Sequence, residues 1–248
     1  MIGLLLAATL VCGEDQTTAD TPPSVSYGPF PLPLKRTYVF SALGTPTPKA
    51  DKSEFWAPKD FPPSLAIWLQ DVRKFPSGKG RYYFPSRNVL RIYRISAANT
   101  APYETIQPQI KSLRKLLSER PTTVAEDSLP DYPPRNASHS FQEKLCYMDA
   151  TWGSALCYVT QFTQDGGTPA NNEELRYLVQ GLSKDDQFYI SADFSITNPK
   201  LPNRIKDTPK RQKGDYAPDR ALLSRQPEGS FMPALDKIRA WLSTLELK

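Results

Sequence analysis

The sequence predicts an α+β protein: an antiparallel sheet of about five to seven strands with two main helices packed on it as a layered sandwich. Three observations lead there. Residues Asn136 to Ile196 hold four runs rich in β-branched and aromatic side chains, separated by two short reversals and one wider loop. Two segments, 106–118 and 233–247, carry apolar residues at helical spacing. The 25 prolines, about twice the usual share, crowd outside the four runs, as in Pro22-Pro23, Pro46, Pro48 and Pro62-Pro63, and make those regions extended coverings. A chain of 248 residues, 39% of them hydrophobic, suffices for one sizeable core, and residues 31–248 are read as a single domain.

In chain order, Ile2 to Val11 is a short apolar run followed by Cys12-Gly13-Glu14-Asp15 and a segment rich in Thr, Asp and Pro. Ten residues are too few to span a bilayer and suit the hydrophobic region of a signal peptide, although no basic residue precedes them. Two cleavage readings stay open. Val11 and Gly13 suit the small-residue positions of an ordinary signal-peptidase site, which removes Cys12. Alternatively Cys12 is the lipidated first residue of a lipoprotein, although Val11 and Thr9 depart from that pattern. Residues 1–13 are then the leader and 14–30 a flexible tether.

Arg36 to Leu43 reads as a strand bounded by prolines. Ser64 to Phe75 is ambiguous, because Leu65, Ile67 and Leu69 suit a strand while Leu65, Trp68, Leu69 and Val72 suit a helix. Pro76 to Gly80 is a turn, and its lysine and glycines lack the spacing of a nucleotide loop. Tyr82 to Phe84 and Asn88 to Ala97 are strand-like. The helix at 106–118 has Thr105 as its cap, Pro108 in its tolerant first turn, and a stripe of Ile106, Ile110, Leu113 and Leu117; Pro121 stops it.

The four central runs are Ser138–Asp149, Ser154–Gln164, Glu174–Ser183 and Gln187–Ile196. Ala150-Thr151-Trp152-Gly153 is a tight reversal, and with Thr151 and Trp152 at its tip, Cys146 falls opposite Cys157. Opposed residues on antiparallel strands lie within the Cα separation a disulfide tolerates, so a Cys146–Cys157 bridge is expected, worth on the order of 2 to 3 kcal/mol. The alternative is a pair of buried free thiols in a reducing compartment. In the fourth run Phe188, Ile190, Ala192, Phe194 and Ile196 share the inward face. The Pro-containing segment at about 200–227 reads as a basic surface excursion, and Pro233 opens the closing helix.

Net charge is +5, unevenly spread. Arg73, Lys74, Lys79, Arg81, Arg87, Arg91 and Arg94 face only Asp71 in their stretch, and Lys200 to Arg220 is also predominantly basic. Such patches are either solvated faces or contacts for anionic envelope polymers and lipid head groups. Arg87, Arg91, Lys210 and Arg211 are the candidate contacts, with Trp152 as an exposed hairpin-tip anchor or a residue folded back on the sheet.

The blocks Arg87 to Ser96, Leu129-Pro130, Asn136-Ala137, Tyr158-Val159-Thr160-Gln161-Phe162-Thr163-Gln164, Asn171-Asn172-Glu173-Glu174-Leu175, Gln180-Gly181-Leu182, Phe188 to Ala192 and Leu201-Pro202 occur in the order seen in a family of uncharacterised exported bacterial proteins. The chain resembles that family over about 87–202 and 231–245. The resemblance implies a signal or lipoprotein leader and no established activity. The cysteine pair and Lys184-Asp185-Asp186, where a glycine-containing turn is usual, depart from it. The layered arrangement is also similar to the sandwich of photosystem accessory and bacterial lipoprotein domains.

No catalytic residue is assigned. His139 is the one histidine, read as a solvent-facing strand residue, and no nucleophile elbow accompanies it. No metal cluster or cofactor motif is present in the sequence. Glu143, Asp149, Glu173, Glu174 and Asp193 are the acids from which a glycosidase pair would be drawn. The expected role is therefore a secreted or membrane-anchored cell-envelope protein. It acts as a non-catalytic binding module for an anionic polymer, lipid head groups or another envelope protein. The alternative is a hydrolase of surface polysaccharide. Nucleic acid is set aside because an extracytoplasmic protein does not meet it.

Overall fold

A computed structural model describes residues 25–27, 38–41, 64–69, 88–96, 106–132, 135, 137–164, 167–209 and 212–247. The strands are β1 (Val25–Ser26), β2 (Tyr38–Ser41), β3 (Ser64–Trp68), β4 (Val89–Arg94), β5 (Ser138–His139), β6 (Glu143–Asp149), β7 (Gly153–Thr163), β8 (Leu175–Ser183), β9 (Phe188–Ser195) and β10 (Glu246–Leu247). The helices are α1 (Ile106–Glu119), α2 (Ala217–Ser224) and α3 (Leu235–Leu242).

The main sheet runs β2-β3-β4-β9-β8-β7, every neighbour antiparallel. The free side of β7 is shared by β5 and β6, paired at Ser138↔Thr163 and from Glu143↔Val159 to Asp149↔Ser154. Eight strands thus fill seven positions, in agreement with the α+β expectation. β1 and β10 form a separate two-stranded sheet.

The β6–β7 hairpin closes where its turn chemistry says it should. Ala150 and Gly153 exchange both backbone hydrogen bonds, at 2.8 and 3.2 Å. Only glycine fits at 153, since a Cβ there would lie 2.0 Å from the Leu182 carbonyl oxygen. The β8–β9 reversal uses Asp186 in the left-handed region (φ 58), one of the few side chains that tolerate it. The Asp185 carboxylate accepts from Ser183 Oγ at 2.6 Å and from the Gln187 N–H at 3.1 Å.

Both faces of the sheet are buried. One carries Val179, Ile190, Phe194, Leu90 and Ile67 against α3 and Leu223 of α2. The other carries Tyr93, Leu156, Tyr158, Leu178 and Tyr189 against Ile106, Ile110, Leu113 and Leu116 of α1 and against Tyr132. All nine residues of β8 are buried, so its sequence lacks the apolar–polar alternation of a one-sided strand. Each large aliphatic or aromatic side chain so covered contributes roughly 1.5–3 kcal/mol of transfer free energy. The ambiguous run at 64 resolves as a strand because β2 and β4 flank it, with Leu65, Ile67 and Leu69 buried.

Four expectations are corrected. Leu117 is only partly buried and Leu116 completes the stripe of α1, whose end is marked by Arg120 at φ 47. The closing helix spans Leu235–Leu242 rather than 233–247. Ser243 and Thr244 return their hydroxyls to the Ala240 and Trp241 carbonyls at 2.7 Å each, and Glu246–Leu247 leaves to pair with Val25–Ser26. Val25–Ser26, expected to belong to the tether, is thus a paired strand. The basic excursion contains α2, whose Asp219 is buried and accepts the Ala170 N–H at 3.0 Å.

Asn171 and Asn172 lead into β8 and fix its approach through side-chain hydrogen bonds. Asn171 Oδ1 accepts the Glu174 N–H at 3.1 Å, while Asn172 Oδ1 accepts the Asn198 N–H at 2.7 Å and its Nδ2 donates to the Asn198 carbonyl at 3.1 Å. Asn172 thereby ties the loop before β8 to the segment after β9.

Candidate functional site

Trp152 sits at the tip of the β6–β7 hairpin but is only 5% exposed. Its ring lies over Gly181 on β8, where an added Cβ would come within 2.8 Å of Trp152 Cη2, and its Nε1 donates to the Leu242 carbonyl at 2.8 Å. The tryptophan folds back and fastens the hairpin to the end of α3, because a buried indole N–H needs an acceptor and the last carbonyls of a helix are open. Beside it lies a depression of about 310 Å³ lined by Arg94, Thr151, Trp152, Lys184, Phe188 and Leu247 among others. The Arg94 guanidinium stands 5.2 Å from the centroid of the Phe188 ring. Hydrogen bonds from Ser183 and then from the Gln187 backbone hold the Asp185 carboxyl below the usual carboxylate range.

Arg91 is half-buried and turns toward an ionic cluster on the α1 face of the sheet. Asp193, 1% exposed on β9, accepts Arg135 Nη1 at 2.7 Å and lies 3.9 Å from Arg176 Nη1. Arg135 Nε reaches Asp131 at 3.3 Å, and Arg176 Nη2 lies 3.8 Å from Glu174. Burial pushes the Arg91 guanidinium down, against the pull of Tyr93 and Asp193, and pushes the Asp131 carboxyl up, against Arg135. Three arginines are set among three carboxylates, so opposite charges are paired in this part of the interior. Around them Tyr93, Tyr132 and Tyr189 pack edge to face, with centroids 4.9 to 6.4 Å apart. Burial lifts the Tyr93 phenol to about 12. His139 packs against Tyr158 and Phe162, at 5.7 and 4.8 Å, so it is a part of this layer rather than a solvent-facing residue.

Cys146 and Cys157 are opposed, as the turn predicts, but the expected bridge is not formed: both are free thiols. Ala150 and Gly153 are a hydrogen-bonded pair, and the register runs unbroken from Asp149 to Cys146, so Cys146 and Cys157 are a hydrogen-bonded pair too. The Cys146 sulfur is instead surrounded by donors. It lies 3.6 Å from Arg239 Nη1 and 3.7 Å from the Tyr177 hydroxyl. The hydrogen bond from the Cys157 thiol first, and then Arg239 and Tyr177, bring its pKa down to about 7 against the effect of burial. Burial pushes the Cys157 thiol well up.

The acids considered for hydrolysis are all engaged. Glu143 lies 3.4 Å from Arg220 and Asp149 2.5 Å from Arg120, and Glu173 accepts the Ile205 N–H at 3.2 Å; Glu174 and Asp193 belong to the ionic cluster. Among the described residues no three His, Cys, Asp or Glu side chains are grouped to hold a metal ion. Cys12, Arg87, Lys210 and Arg211 lie outside the described residues. Of the sequence-predicted residues, Trp152 lines the depression, Arg91 lies on the other face, and the cysteines pair under α3. Arg94, Lys184, Arg239 and Tyr177 were not singled out in advance, since each depends on a neighbour distant in sequence.

The fold and these sites define a class, an α+β sandwich with an antiparallel sheet covered on both faces. No protein-family model, curated protein or solved structure matches the chain.

Proposed function

We propose that the protein is a non-catalytic interaction module of the bacterial cell envelope, secreted or membrane-anchored, whose depression beside Trp152 takes the phosphate groups of an anionic polymer or lipid surface. The depression carries the reading: it sets two cations, Arg94 and Lys184, against the one carboxylate of its lining, Asp185, and beside an indole and a phenyl ring at a sheet end. The engaged carboxylates favour binding over the hydrolase alternative, because a general acid and its partner must be available to substrate. Export rests on the apolar run before Cys12 and on the family resemblance. Attachment in this reading falls to lipidated Cys12; among the described residues no helix is long and apolar enough to cross a membrane.

The test uses the full chain in sedimentation with neutral vesicles, with vesicles containing an anionic phospholipid, and with a soluble phosphodiester polymer. Each cation near such a surface contributes about 1 kcal/mol, so Arg94→Gln together with Lys184→Gln weakens binding roughly 30-fold at low salt. Retention on anionic vesicles alone assigns the lipid source and on the polymer alone the wall source. Binding that is absent, or unchanged in the double variant, refutes the site. Intact mass of the mature protein separates a lipidated Cys12 from a leader cut after Gly13.

A further inference from the structure

The environment of Cys146 differs from that of an inert core thiol in three respects. Its sulfur has a fixed cation at 3.6 Å, the Arg239 guanidinium. It has a hydroxyl at 3.7 Å, from Tyr177, and that hydroxyl accepts from Arg239 Nη1 at 2.9 Å, which leaves its own proton free to point at sulfur. It also has a second thiol directly across the ladder. Arg239 is held in place from its far side by an ion pair with Glu228, so the cation is presented to the sulfur rather than wandering over it. Cys146 is half-buried, whereas Cys157 is fully buried. A thiol that merely fills space needs none of this; a cation and a hydroxyl at the sulfur stabilise a thiolate, and a thiol opposite it can resolve an oxidised sulfur.

We propose that Cys146 and Cys157 are a reversible redox modification site for small hydroperoxides, with Cys146 the attacking sulfur and Cys157 the resolving one. In the first step the Cys146 thiolate attacks one peroxide oxygen. An S–O bond forms, the O–O bond breaks, and the departing alkoxide or hydroxide takes up a proton from solvent. The sulfur is oxidised by two electrons to a sulfenic acid and the peroxide is reduced. In the second step the Cys157 sulfur attacks the sulfenic sulfur. An S–S bond forms, the S–O bond breaks, and the hydroxide leaves as water with the Cys157 proton. In sum, two thiols and one hydroperoxide give a disulfide, one water and one alcohol, or a second water when the oxidant is hydrogen peroxide.

The roles follow from the asymmetry of the pair. The Arg239 guanidinium and the Tyr177 hydroxyl stand against the Cys146 sulfur and favour its thiolate, whereas Cys157 is fully buried and burial favours its thiol form. Closure needs little backbone movement, since Cα atoms of a hydrogen-bonded pair stand about 5.5 Å apart, inside the range of disulfides. It does break up the donor set around Cys146, and a bridge formed at that cost is a reducible one. The inference is independent of the proposed binding role, because it involves α3 and β6 to β8 rather than the depression.

The experiment starts from the reduced full chain. Stoichiometric hydrogen peroxide is expected to remove two hydrogen masses, with the bridge mapped to Cys146–Cys157 and reversed by dithiothreitol. In Cys157→Ser, dimedone traps a sulfenic acid at Cys146, while Cys146→Ser gives no adduct at Cys157. Alkylation of Cys146 in the wild type follows a pH profile with its midpoint near 7. Arg239→Gln moves that midpoint toward the ordinary thiol value and slows alkylation at neutral pH roughly tenfold, and Arg239→Lys restores most of it. A peroxide-treated wild type that keeps both thiols overturns the proposal without recourse to any variant. So does an adduct on Cys157, a bridge that resists dithiothreitol in the folded chain, or an alkylation midpoint unmoved by Arg239→Gln.

Discussion

Replacing Gly181 by alanine isolates the contact that turns Trp152 from a hairpin tip into a core residue. In an ordinary strand this change is mildly favourable, about 0.4–1 kcal/mol, because it narrows the unfolded ensemble. Here the new Cβ would meet Trp152 Cη2 at 2.8 Å and Ala155 Cβ and the Ser154 carbonyl oxygen at 3.0 Å each, against an optimal carbon–carbon separation near 3.5–4.0 Å. The indole has no slack, since it is 5% exposed and bonded to the Leu242 carbonyl. Either it swings out and forfeits a hydrogen bond worth about 0.5–1.5 kcal/mol, or β7 and β8 absorb an overpacking strain of about 1–3 kcal/mol. The net expectation is a loss of roughly 2 kcal/mol. Trp152→Leu alone costs a comparable amount, but removes the ring atoms that clash, so Gly181→Ala in that background costs at least about 1 kcal/mol less. Urea unfolding followed by far-ultraviolet circular dichroism measures all four corners of the cycle without relying on tryptophan fluorescence. Costs that add to within about 0.5 kcal/mol would refute the coupling and with it the placement of the indole.

Two further outcomes follow from the buried charges and phenols. Asp193→Ala takes from Arg135 and Arg176 the buried carboxylate they share and lowers stability by about 3–5 kcal/mol, whereas Asp149→Ala removes an exposed partner of Arg120 and shifts stability far less; equal urea midpoints for the two variants contradict the cluster. The phenols of Tyr93, Tyr158, Tyr177 and Tyr189 are raised above their ordinary value, Tyr93 to about 12. The unfolded chain therefore loses these protons first, so the stability they contribute is fully present below about pH 10 and is lost as pH rises from there toward 12. Tyrosinate absorbance is expected to rise in two stages, the second coinciding with loss of circular dichroism; complete ionisation of all 12 tyrosines with the spectrum intact counts against it.

How far the sequence could be read depended on the range of the interaction concerned. The β6–β7 and β8–β9 hairpins, the register that opposes Cys146 and Cys157, and the helix at 106 all rest on turn residues and periodicities within about a dozen positions. The same local logic misjudged Leu117, whose stripe position is taken by Leu116 once the sheet selects which side of α1 to cover. It overlooked α2, a short helix in a basic, proline-containing stretch whose burial rests on Leu223 and on Asp219 reaching back to Ala170. It left the orientation of Trp152 open, because the space for the indole comes from a missing Cβ on Gly181 and its acceptor from Leu242.

Hydrophobic content, turn chemistry and strand pattern were sufficient to establish an α+β chain with antiparallel hairpins, since those preferences act between neighbours along the backbone. The state of the two sulfurs and the grouping of Arg239 with Tyr177 were settled only when α3 and the sheet came together, and the inward turn of Arg91 only when the opposite face was covered. The reason is electrostatic as well as steric: a charge, a thiol or an indole N–H takes its character from whatever surrounds it after water has been removed, and those neighbours are far away along the chain.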